Sequence, residues 1–192
     1  MKNILHLLLF SCLILSCKNN TTNSSTPVVM EKKILSDSAA IEETIHDFYK
    51  FYSTFENDTT QYNFVDDSGK YLKLDQEKLK KYLDKFFQTG LVSEEFINNE
   101  REFYEKCGKL WGDEEKGDVP SGMDADKMYC GQDGDFPEFT KAPVTSIIKG
   151  DRATAKMIFK PNSGNGASRN YELKKENGKW LMAKVECNMG IK

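Results

Sequence analysis

Hydrophobic and polar positions along the chain fall into three regimes. The first is an apolar run from Ile4 to Leu15, preceded by Lys2 and followed by Ser16 and Cys17. About a dozen apolar residues fall short of the ~20 that a helix needs to cross the hydrocarbon layer, so the run predicts a secretory signal over residues 1–16. The second regime has helical period. Ile41, Ile45, Phe48, Tyr49, Tyr52 and Phe55 make one apolar stripe, with Glu42, Glu43, Asp47 and Lys50 on other faces, and Asp37 or Ser38 placed to cap it. Asp75 as cap, the stripe Leu79, Tyr82, Leu83, Phe86 and Phe87, and Gly90 as stop predict a second helix. Ser93 opens a third, with Glu94 and Glu95 in its first turn, Phe96, Ile97, Phe103, Tyr104 and Cys107 inward, and an end near Gly108 to Gly112.

The third regime has period two. Pro143 to Ile148, Arg152 to Lys160, Asn170 to Lys175 and Lys179 to Cys187 are strand candidates. Gly150-Asp151 and Asn177-Gly178 supply tight hairpin turns, and Asn162 to Ser168 a more open loop. Helices followed by an antiparallel meander define an α+β domain over residues 37–192, since alternating units would instead predict a parallel sheet. No internal repeat is visible.

Composition narrows the function classes. The chain has 192 residues, room for one ordinary core, and 27 basic against 30 acidic residues leave a net charge of −3. That balance argues against nucleic acid as a partner, which calls for a basic surplus on one face. Two histidines, His6 and His46, nearly exclude chemistry that needs several imidazoles. Ile14-Leu15-Ser16-Cys17 resembles the bacterial lipobox, in which a small residue precedes a cysteine that is lipidated and becomes the new N-terminus. Acyl chains on Cys17 would hold the protein on a membrane without spanning it. Lys18, Asn19 and Asn20 lack the acidic character of inner-membrane retention and surface-export signals, which favours an outer-membrane anchor facing the periplasm. Residues 17–36 are the lipidated cysteine and a polar tether, whose reach is about 25 Å.

From Asp113 to Glu138 nine acidic residues stand against Lys116 and Lys127. Asp124-Ala-Asp126 and Asp133-Gly-Asp135 invite a calcium reading, but neither has the ligand spacing of an EF-hand loop, and a solvated acidic loop is the simpler expectation. Asp124, Asp126, Gln132, Asp133 and Asp135 are the candidate binding loop, and no metal site or cofactor is expected. The Asp124-Ala-Asp126 and Gln132-Asp133 pairs, the ending Asn177-Gly-Lys-Trp180-Leu-Met-Ala-Lys-Val185 and the opening Ile45-His-Asp-Phe48-Tyr49-Lys-Phe-Tyr52 resemble the domain-of-unknown-function 3828 family of bacterial envelope lipoproteins. The resemblance covers roughly residues 41 to 187. It implies a nuclear-transport-factor-2-like, cystatin-related cone, a curved antiparallel sheet wrapped by helices around a pocket, and carries over no catalytic residue.

Cys12 leaves with the signal and Cys17 takes lipid, so Cys107, Cys130 and Cys187 remain in an oxidising compartment. One disulfide and one thiol follow. Cys107 with Cys130 is the preferred pair because both flank the same insertion, with the two pairings to Cys187 left open. His46 lies beside the apolar stripe and is expected partly exposed; a single mature imidazole makes neither a zinc site nor a base for a cysteine nucleophile. Trp180 and Phe159 read as core, Trp111 as a loop anchor, and Tyr49 and Tyr52 as core tyrosines that no sequence feature pairs with a perturbed carboxylate.

Secretion and tethering without a catalytic constellation predict a non-enzymatic module that binds a small ligand or an envelope protein. Two further readings use other features. An immunity or inhibitor lipoprotein would offer the acidic loop to the basic rim of a toxin. An enzyme would use a tyrosine and a carboxylate inside the cone.

Overall fold

The computed structural model describes residues 35–55, 62–117, 119–131, 136–159 and 168–187. All described residues belong to one compact unit, Ile34–Lys192. The signal, Cys17 and the tether up to residue 34 therefore lie outside the described residues, as do Gln132, Asp133, Asp135 and the loop expected at Asn162, up to residue 167.

Helix α1 runs Asp37–Phe55 and buries the predicted stripe together with Thr44. Its cap is Ser36, one residue before the expected pair: Ser36 Oγ accepts from the Ala39 amide at 3.3 Å. Asp37 is drawn away from capping because its carboxylate accepts from Lys175 Nζ at 2.6 Å and Trp180 Nε1 at 3.0 Å. A two-stranded hairpin that the sequence pattern did not reveal follows, β1 (Val65–Asp66) against β2 (Lys73–Leu74). Helices α2 (Gln76–Gln88) and α3 (Glu94–Trp111) start where Asp75 and Ser93 accept from the Lys78 and Phe96 amides, as their cap chemistry dictates. Phe87 departs from expectation. It is 56% exposed, because Leu79, Tyr82, Leu83 and Phe86 already fill the buried face of α2. Gly108 lies inside α3 because β2 crosses there: a Cβ on it would stand 2.7 Å from Leu74 Cβ.

After the loop and a short helix α4 (Phe136–Phe139) come β3 (Val144–Lys149), β4 (Arg152–Ile158), β5 (Ser168–Glu176) and β6 (Lys179–Glu186). They form one antiparallel sheet in the order β3-β4-β5-β6, so the domain is α+β, helices first and meander last. Asn177 and Gly178 both take positive φ, 50° and 79°, the conformation that a two-residue hairpin turn of right-handed twist requires.

A bulge re-phases β6. Glu172 pairs with Lys184 and Leu173 with Met182, leaving Ala183 as the extra residue. The alternation thereby shifts, so that Trp180 and Met182 point inward before it and Val185 after it, while Lys184 stays outside. The outer edge of β6 is covered. Met182 donates to Leu91 O and accepts from the Ser93 amide, both at 2.9 Å, which ties the α2–α3 connection to the sheet. Between α1, α2, α3 and the sheet lies an aromatic core including Phe48, Tyr49, Tyr52, Phe86 and Phe96, each at most 1% exposed.

Candidate functional site

Part of the stretch expected as a solvated acidic loop is built into the interior. Trp111 Nε1 donates to Ser121 O at 2.9 Å, the loop anchor foreseen for that indole. Glu114 accepts from the Ser121 amide at 2.9 Å. Lys127, Met128 and Tyr129 are then buried, so the charge run is solvated only in part; Asp124 stays exposed and Asp126 turns inward.

Asp126 is the hub of the turn. Its Oδ1 accepts from the Met128 and Tyr129 amides at 2.8 and 2.9 Å, the local bonding for which short carboxylate side chains favour turns. Its Oδ2 accepts from Tyr52 Oη at 2.6 Å and Tyr62 Oη at 3.0 Å. Tyr49 donates to Met128 O at 2.8 Å, and the Tyr171 hydroxyl donates to that of Tyr49 at 3.1 Å. Arg169 of β5 closes the turn from the other side, donating through Nε to Tyr129 O at 3.0 Å. Burial holds the phenols of Tyr49, Tyr52, Tyr82 and Tyr104 well above their usual range, so they stay neutral at physiological pH.

Next to Asp126, Lys127 Nζ meets Glu100 Oε1 from α3. Glu100 is 0% exposed, and the Phe103 ring centroid lies 4.5 Å from the Lys127 ammonium. Burial pushes the Glu100 carboxyl above its ordinary value, with Lys127 opposing that shift. Glu100 Oε2 is buried without a hydrogen-bond partner. The sequence did carry a signal for this residue: Glu100 stands four positions from both Phe96 and Tyr104, on the buried stripe of α3.

The disulfide joins Cys130 to Cys187, correcting the expected Cys107–Cys130 pair. Cys107 faces the core from the same stripe as Tyr104 and Trp111, fully buried, and its thiol is pushed up to about 11 by burial. Cys130 instead reaches the end of β6, at a Cα separation of 5.5 Å from Cys187. Of the candidate loop, Asp126 is thus committed to the interior and Asp124 faces solvent. Among the described residues no three His, Cys, Asp or Glu side chains gather to hold a metal ion, and no helix is long and apolar enough to cross a membrane. His46 is partly buried, its Nε2 2.9 Å from Ala142 O.

Four clefts on the described surface take no lining residue from the Tyr52, Tyr62, Asp126, Glu100 and Lys127 cluster. One of them lies beside α4, about 470 Å³, lined by Pro137, Ala142, Pro143, Ile158 and Phe159 together with Glu138 and Lys141. Such a cleft suits an apolar or amphipathic group, whereas the tyrosine–carboxylate cluster is packed for structure. Comparison of the chain with protein-family models, with curated proteins and with solved structures finds no match.

Proposed function

We propose that this chain is a bacterial envelope lipoprotein, held on a membrane through acylated Cys17, which acts without catalysis by binding a small ligand or an envelope protein at its surface. The observation that carries the binding reading is the apolar cleft beside α4, whose volume of about 470 Å³ falls within the range of small-ligand sites. The filled aromatic core supports it too, since the convergent tyrosine hydroxyls and Asp126 satisfy one another and none of the four clefts reaches them. The Cys130–Cys187 disulfide supports an oxidising address, and the apolar run before Cys17 supports export. For the finer fold, we read the long first helix packed on an antiparallel meander as a nuclear-transport-factor-2-like, cystatin-related arrangement of the domain-of-unknown-function 3828 kind, with its pocket filled by side chains.

The test has two parts in the native host. Labelled palmitate should enter the full-length protein and fail to enter Cys17→Ser; an unlabelled native chain in the cytosolic fraction overturns the anchor. A photo-reactive amino acid at Ile158, on the cleft, should yield an adduct that the same group at Tyr71, in the β1–β2 hairpin, does not. Identical adduct patterns, or none at either position, overturn the cleft as the binding surface.

A further inference from the structure

β3 is the outer strand of the sheet, and the two sides of its backbone are used unequally. The Ile158 amide donates to Pro143 O at 3.1 Å, so Pro143, Thr145, Ile147 and Lys149 are the residues whose backbone groups turn toward β4. Val144, Ser146 and Ile148 turn theirs the other way. There the Val144 amide donates to the Glu42 carboxylate at 3.4 Å. For Ser146 and Ile148, no backbone partner lies on that side among the described residues. Helix α1 runs beneath the strand, where Ser38 Oγ lies 3.3 Å from Ser146 Oγ. The opposite border, β6, is closed by Leu91 and Ser93, so the sheet has one finished edge and one open edge. The open edge also lacks the devices that keep strands apart. No proline, charge or bulge interrupts Val144 to Ile148, and Ile147 is 67% exposed.

We propose that this edge pairs with the same edge of a second copy of the chain, antiparallel and across a two-fold axis at Ile147. The strand is its own complement in that register. Ser146 of each copy stands opposite Ile148 of the other, and each of these two pairs exchanges two backbone bonds, four in all. The Val144–Glu42 bond stays intact, because the residue that comes opposite Val144 is Gly150, which has no side chain to collide with Glu42. A register centred on Ser146 would make six bonds but break the Glu42 bond in both copies, again a net of four, and would leave Ile147 facing Thr145. Centring on Ile147 sets the two exposed isoleucines opposite each other, a β-branched pair of the kind that stabilises neighbouring strands. Charge agrees with this choice. Lys149 meets Thr145, no like charges stand opposite one another, and the Glu42 end of each strand receives the Lys149 end of the other. A foreign strand would need all these matches by coincidence, whereas a second copy brings them by symmetry. The pairing is independent of how the protein is anchored and of what its cleft binds.

Cysteine substitution in the full-length chain, oxidised in its host envelope, reads the register. Residues opposed in a non-hydrogen-bonded pair lie about 4.5 Å apart at Cα, within the reach of a disulfide. Ile147→Cys should therefore form a covalent dimer above the baseline set by the unsubstituted chain, and its exposed position leaves the fold intact. Thr145→Cys, on the same face, should not, because its two copies would stand four residues apart, about 13 Å. Lys149→Cys alone should fail for the same reason, yet Thr145→Cys and Lys149→Cys chains expressed together should cross-link. Adding Ser146→Pro to Ile147→Cys should abolish the dimer. A proline there spares the β3–β4 pairing, since the Ser146 N–H points away from β4. Absence of a dimer with Ile147→Cys, an equal yield with Thr145→Cys, or an adduct of Ile147→Cys with a different protein in place of the dimer overturns the proposal.

Discussion

Asp126 and Glu100 are two carboxyls placed in one aromatic interior, and the structure treats them in opposite ways. Asp126 is filled: two amides meet one oxygen and two tyrosine hydroxyls meet the other. Glu100 is half-filled, with Lys127 on Oε1 and no partner on Oε2. A carboxylate with every lone-pair direction taken is a structural joint, because any other proton or ligand would have to displace four donors. A buried carboxyl with one oxygen unpartnered keeps part of its desolvation cost. Both joints belong to the same segment, since Asp126 and Lys127 are adjacent in sequence and Cys130 follows three residues later. The loop is therefore a third wall of the core, although its composition reads as a solvated connection.

The contrast can be broken from either side. Lys127→Met should do the most damage, about 4 kcal/mol in urea unfolding, because it strands Glu100 in the interior without its cation. The loss should depend on pH. Burial raises the folded-state carboxyl of Glu100 above its unfolded value, so the folded state holds the proton more tightly. That contribution is whole below the unfolded pKa, about 4, and is lost as pH rises through the folded value. The variant should thus lie closest to the native chain in acid and fall away toward neutrality; a deficit independent of pH would contradict the assignment.

Asp126→Ala should cost about 3 kcal/mol, since it leaves two amides and two phenols without their acceptor. Asp126→Asn should recover part of that loss through its one remaining acceptor oxygen, as read from the denaturation midpoint. Cys187→Ser, which frees the loop from the end of β6, should cost about 2 kcal/mol, and reductant should lower the melting temperature of the native chain but not of the variant. The smallest effect belongs to Phe87→Ser. At 56% exposure this ring should change stability by no more than about 0.5 kcal/mol, whereas Phe86→Ser, on the buried face of α2, should be severe.

Much of the fold was legible because its signals are local. Asp75 and Ser93 start α2 and α3 through bonds to amides three residues ahead, a chemistry contained in a single turn. The four strands emerge at nearly the expected bounds because alternation and the Asn177-Gly178 turn are also short-range. The misreadings share a different cause. Phe87 has the composition of a buried residue, but three-dimensional packing had already closed the face beside it. Cys107 and Cys130 flank one insertion, but a helix stripe points one of them into the core and a turn carries the other to β6. Tyr52 showed no sign of a carboxylate partner because that partner is 74 positions away.

What the chain determined by itself, then, is what depends on neighbours within about a turn or a hairpin: where helices start and how strands alternate. Tertiary structure alone decided which acidic residue is joint and which is solvated, which cysteines pair, and where Glu100 meets Lys127. Those outcomes turn on desolvation and contact between residues far apart in sequence. A charged side chain acquires its cost and its chemistry only from the environment that the folded chain builds around it.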